Sequence, residues 1–165
     1  MLYGQPFSIR LLLPCLFSLI IQGLYGQNEI ADKKIIEIES YKRYKIQKVD
    51  NKDDLKPLGD STSEVTGLTN YLRKGDGRGK VTESSKFKGG ETNRTYYFNE
   101  KWRLFAMVDF INYDDKKTSR LTYYFGNGQL LQVVDENKNI VTDRINKEKL
   151  YNWIRMMFTD QTIEK

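Results

Sequence analysis

Three carboxylates hold equivalent places in a recurring pattern. Glu83, Asp109 and Asp135 each close a segment that opens on threonine and tyrosine: LTNYLRKGDGRGKVTE from Leu68, RTYYFNEKWRLFAMVD from Arg94 and LTYYFGNGQLLQVVD from Leu121. Paired acids carry the chemistry of many secreted hydrolases, with carboxyl groups about 5–5.5 Å apart in retaining glycosidases and about 6.5–9.5 Å in inverting ones. If each acid lies on the return strand of its own hairpin, neighbours fall two strands apart, about 9.6 Å. That spacing lies just outside both windows, so the three are expected as strand-end acids that terminate pairing and keep a sheet edge soluble.

The second set of candidate residues is a ladder of hydroxyls. Alternation along the strands puts Leu72, Phe98 and Phe125 on one face together with Leu68, Asn70, Tyr96, Leu121 and Tyr123, the expected core face. The opposite face then carries Thr69 with Tyr71, Thr95 with Tyr97, and Thr122 with Tyr124. Thr and Tyr suit a half-exposed pleat, because each keeps a polar tip in water. Bordered by Arg73, Lys74, Lys101 and Arg103, this face is expected to stack on a glycan or grip a protein partner, with Tyr71, Tyr97, Tyr124, Thr95 and Thr122 as its binding residues.

The elements that must position these residues follow from period and punctuation. Each copy reads as a β-rich run, a turn and a second β-rich run, with turns GDGRG, NEKWR and GNG. The glycine-free NEKWR turn leaves Asn99 to supply any left-handed residue. Three such hairpins make an antiparallel meander of about six strands over about 65–141. Upstream, residues 28–44 place Ala31, Ile35, Ile38 and Tyr41 at helical intervals, and Tyr44–Val49 turns extended before the polar connection NKDDLKPLGDSTS. Downstream, Leu150, Trp153, Ile154, Met157 and Phe158 form one apolar stripe of a helix over about 146–159, with Asn146 as N-cap and Glu148 near its positive end. The stripe is expected to cover the sheet; a membrane-surface role would require Trp153 to face outward.

The N-terminus bears on location. Arg10 precedes LLLPCLFSLIIQGLYG, an apolar run too short and interrupted for a comfortable membrane span, and a polar chain follows Gly26. Residues 1–26 are read as a secretory signal cleaved before Gln27, giving one exported α+β domain over 27–165, periplasmic or extracellular. Membrane association is expected only if the signal stays uncleaved.

Composition then removes whole classes of chemistry. The chain has no histidine, and its one cysteine, Cys15, falls within the signal. Disulfide staples, Ser-His and Cys-His pairs and Cys/His zinc sites are excluded from residues 27–165. Neither DDKK nor NKDD has the ligand spacing of an EF-hand, and GDGRGK joins two β-runs and lacks the helix N-terminus that makes a phosphate loop. No metal or cofactor is expected. The net charge of +5 is spread through interleaved acids and bases, the pattern of a mixed soluble surface, so no nucleic-acid partner is expected. Asn93-Arg94-Thr95 matches the N-glycosylation acceptor, which has meaning only in a eukaryotic secretory pathway.

TGLTNYL, TYYF with the following Leu104, and LTYYFGNGQLLQVVDENK resemble a set of small exported proteins of Bacteroidetes type with segments T-x-Y-Y-F-x-x-G-x-L, and more loosely MORN and YwqK-type hairpin repeats. The resemblance implies the repeated-hairpin architecture and an N-terminal signal, and it carries no catalytic residues across. The expected function is a non-catalytic binding or envelope-associated module. The competing class is a secreted hydrolase, or an inhibitor of one, acting on envelope or host components.

Overall fold

The computed structural model describes residues 26, 28–49, 55, 62–73 and 77–158. The expected signal, residues 1–26, lies outside the described residues apart from Gly26, as does most of the connection 50–61. Helix α1 covers 28–40. Seven strands follow: β1 (Lys45–Val49), β2 (Ser63–Arg73), β3 (Gly77–Phe87), β4 (Gly90–Phe98), β5 (Leu104–Tyr113), β6 (Thr118–Gly126) and β7 (Gln129–Asp135). A 3-10 turn, Thr142–Arg144, leads into α2 (Lys147–Met157). The strands form one antiparallel sheet in chain order, with a helix on each face. The chain is therefore an α+β meander, with β1 adding a strand to the expected six. No described helix is long and apolar enough to cross a membrane.

One irregularity recurs in the sheet. The register shifts between Tyr71 and Leu72, between Tyr97 and Phe98, and between Tyr124 and Phe125. Each shift leaves one residue of the returning strand without a partner: Gly79, Phe105 and Leu131. A bulge adds local twist, and here it falls at the same place after each tyrosine.

Turn chemistry departs from expectation at one point. Asn99 does not take the left-handed conformation; Trp102 does, at φ 67°. Asn99 instead accepts the backbone N–H groups of Lys101 and Arg103 on its Oδ1, at 2.9 and 3.1 Å. An asparagine carbonyl mimics a backbone turn, so this side chain is worth more as an acceptor than as a left-handed residue. The β6–β7 turn uses Asn127 and Gly128 at φ 51° and 72°, the paired positive values of a tight hairpin.

Helix α2 begins as its sequence implies. Asn146 Oδ1 accepts the N–H of Lys149 at 3.0 Å, satisfying one of the orphan donors of the first turn. Its stripe of Trp153, Ile154 and Met157, followed by Phe158, is buried on Val81, Tyr96, Phe98, Met107, Tyr123 and their neighbours. Phe158 meets the rings of Tyr96 and Phe98 edge-on, with centroids 4.9 and 5.1 Å away. With Trp153 turned inward, the stripe is core and offers no membrane-facing surface.

On the opposite face α1 lays Ile38 and Ile35 over Tyr97, Ala106, Phe105 and Val108. The helix stops at residue 40, and the Tyr44 hydroxyl donates to the Ile38 carbonyl at 2.8 Å, closing its end.

Candidate functional site

The expected Thr-Tyr binding face is largely covered. Tyr97 and Tyr124 are 5% and 3% exposed, and their hydroxyls donate to carboxylates of α1: Tyr97 to Glu39 at 2.8 Å and Tyr124 to Asp32 at 2.7 Å. Burial, with the neighbouring carboxylate adding to it, raises both phenols above their ordinary range. Tyr71 is half-buried, its ring edge-on to Tyr44 and under the Lys80 ammonium, which sits 4.9 Å from the centroid. Thr95 and Thr122 lie half-buried in the next cross-strand row, with Thr69 and Thr82. The five residues do share one face, and two of the three tyrosines serve to seat a helix. Alternation identifies a common face but not what covers it; the amphipathic 28–40 segment was the signal that this face also had a lid.

The acids are corrected more sharply. Glu83 and Asp109 are not strand-end residues; they lie within β3 and β5, 1% and 4% exposed, on the face beneath α2. Only Asp135 ends its strand, where its carboxylate accepts the N–H groups of Asn137 and Asn139 in a surface turn. One cross-strand row nonetheless holds all three: Leu68, Glu83, Arg94, Asp109, Leu121 and Asp135 are successive partners across β2 to β7.

Arg94 stands between the two buried acids. Its Nη1 donates to Glu83 Oε1 at 3.1 Å and its Nε to Asp109 Oδ2 at 3.3 Å. Burial works against the guanidinium charge, but Asp109, Tyr96 and Glu83 outweigh it and hold the pKa above its usual value. Glu83 also accepts from Ser85 Oγ, Tyr96 OH and Trp153 Nε1, so both of its oxygens are fully engaged. Asp109 accepts from Thr92 Oγ1 as well. The Arg94 guanidinium carbon sits over the Trp153 ring, 4.8 Å from its centre, a distance at which cation and ring attract. Sequence reading passed over Arg94. The signal was present: the other two copies carry Leu68 and Leu121 where this one has arginine opposite its acid.

Between this cluster and the start of α2 opens a cavity of about 500 Å³. Thr92, Arg94, Asp109 and Tyr123 give it a polar floor; Phe87, Met107, Ile145, Leu150 and Trp153 give it apolar walls; Lys88, Arg144 and Lys149 stand at its rim. The β strands position the floor because register fixes each side chain within one row. The rim draws Lys149 from the first turn of α2, Arg144 from the 3-10 turn and Lys88 from the β3–β4 turn.

No protein-family model matches the chain, and neither does any curated protein or solved structure.

Proposed function

We propose that the protein is an exported, non-catalytic binding module that takes a small molecule into the cavity beneath α2. The observation that carries this reading is the cavity itself. At about 500 Å³, with apolar walls and a few convergent polar groups, it has the size and lining of small-molecule sites. Its one lining acid, Asp109, favours recognition over proton transfer, since its two oxygens already accept from Thr92 and Arg94. Export rests on the N-terminal apolar run and the cysteine-free chain after it. We read β2–β7 as three copies of one hairpin unit, as in the exported proteins with T-x-Y-Y-F-x-x-G-x-L segments. The recurrent bulge after Tyr71, Tyr97 and Tyr124 supports that origin.

The test is a thermal-shift screen of the purified protein against a small-molecule library, repeated on Leu150→Trp, which fills the cavity. Compounds that raise the melting temperature of the wild type and not of the variant support the site. Compounds that stabilise both equally overturn it.

A further inference from the structure

The cavity floor holds two polar groups that the protein leaves unfinished. Tyr123 lines the cavity, is only 6% exposed, and among the described residues its hydroxyl has no hydrogen-bond partner. A buried hydroxyl without a partner is costly, and native proteins rarely leave one so. Arg94 carries five N–H donors in a planar fork. Glu83 and Asp109 engage two of them, and the others have no hydrogen-bond partner among the described residues. Both residues line the same cavity.

The charge around the cavity narrows what would complete them. Four cations line it, Lys88, Arg94, Arg144 and Lys149, against Asp109 in the lining and Glu83 behind Arg94; both acids already accept from Arg94, so the positive excess rests on Lys88, Arg144 and Lys149. A cationic guest would meet this excess with repulsion. A wholly apolar guest would seal Tyr123 and Arg94 away from water with their donors unpaired. An anion alone would leave the walls of Phe87, Met107, Leu150 and Trp153 wet.

Resting on the small-molecule reading, we infer that the ligand is an amphipathic organic anion, its head accepting from the Tyr123 hydroxyl and the free edge of Arg94, its apolar body lying along Met107 and Leu150. Lys88, Arg144 and Lys149 draw the head to the entrance. Burial first, and the nearby Asp109 second, raise the Tyr123 phenol above its ordinary range, so it is a donor at neutral pH.

The experiment is isothermal titration calorimetry of the purified protein with three chain-matched probes, decanoate, decanol and decyltrimethylammonium, the ionic probes below their micelle thresholds and decanol below its solubility limit. Decanoate is expected to bind at least about tenfold tighter than decanol, as hydrogen bonds to a charged group imply, and the ammonium to give no saturable heat. Tyr123→Phe is expected to melt at the same temperature as wild type or higher, because the lost hydroxyl has no partner to leave behind, yet to bind decanoate about tenfold more weakly. Arg144→Gln with Lys149→Gln, both at exposed positions, is expected to weaken decanoate and flatten its salt dependence.

Decanol binding as tightly as decanoate would overturn the anionic class while leaving the cavity as a site. Absence of saturable heat from all three probes, together with no compound in the screen distinguishing Leu150→Trp from wild type, would remove the cavity reading itself. A Tyr123→Phe protein that binds decanoate normally, or that melts well below wild type, would overturn the placement of the head.

Discussion

The indole N–H of Trp153 donates to Glu83 Oε2 at 3.1 Å, and to Tyr96 OH at 2.9 Å. Helix α2 is thus fastened to the sheet through a carboxylate that is 1% exposed. The same carboxylate holds Arg94, part of the cavity floor, so α2 and the floor of the candidate site share one acceptor.

Glu83→Ala removes that acceptor, strands the buried hydroxyls of Tyr96 and Ser85, and breaks one side of the Arg94 ion pair. Breaking a buried charge pair from one side costs about 3–5 kcal/mol. Urea denaturation should show a loss of that order. A loss under about 1 kcal/mol, the net worth of an ordinary hydrogen bond, would mean that the cluster contributes little to the fold.

Alkaline titration should reveal four tyrosines that ionise only as the fold is lost. Tyr96, Tyr97, Tyr123 and Tyr124 all have raised phenol pKa values, with burial the leading cause in each. The folded state therefore keeps protons that the unfolded state gives up above pH 10, the ordinary tyrosine value. Stability from these groups is complete below pH 10 and is lost as pH rises beyond it. For Tyr96 alone the loss reaches about 1.4 kcal/mol per pH unit. Tyrosinate absorbance from these four should appear in one cooperative step coincident with loss of circular dichroism. A single smooth rise with the fold intact would contradict the burial of these rings.

Ile38→Ala tests the cover on the Thr-Tyr face. Ile38 is 5% exposed and packs on Tyr97 and Ala106, and truncating a buried isoleucine costs about 2–5 kcal/mol. The variant should also open Tyr97 and Tyr124 to iodide quenching. Unchanged quenching with lowered stability would mean that α1 stays seated by the Tyr97–Glu39 and Tyr124–Asp32 hydrogen bonds alone.

Gly90→Ala should disturb the β3–β4 corner. A Cβ there would stand 2.2 Å from the Asn112 carbonyl oxygen, which belongs to the backbone of β5 and cannot swing aside. Overpacking of this kind costs about 1–3 kcal/mol, readable as a lowered denaturation midpoint. Wild-type stability would show that the β4–β5 pair can part locally.

Local order was legible because it is written in short-range pattern. The threonine and tyrosine runs announced strands, GNG announced the β6–β7 turn, and the spacing of Trp153, Ile154 and Met157 announced α2 with the residues that it buries. Even the equivalence of Glu83, Asp109 and Asp135 was visible, and the register puts them in one row.

What the tertiary structure alone decided is the environment of each face. Period-two alternation assigns Tyr97 and Tyr124 to a side of the sheet, but their burial depends on where α1 docks, a contact between residues far apart in sequence. Glu83 and Asp109 look like surface acids because carboxylates are rarely buried unless paired. Their partner, Arg94, comes from the strand between them, and only the register of three strands brings the charges together. The cavity has the same origin: no segment encodes it, since its floor comes from the sheet and its rim from the β3–β4 turn, the 3-10 turn and the first turn of α2.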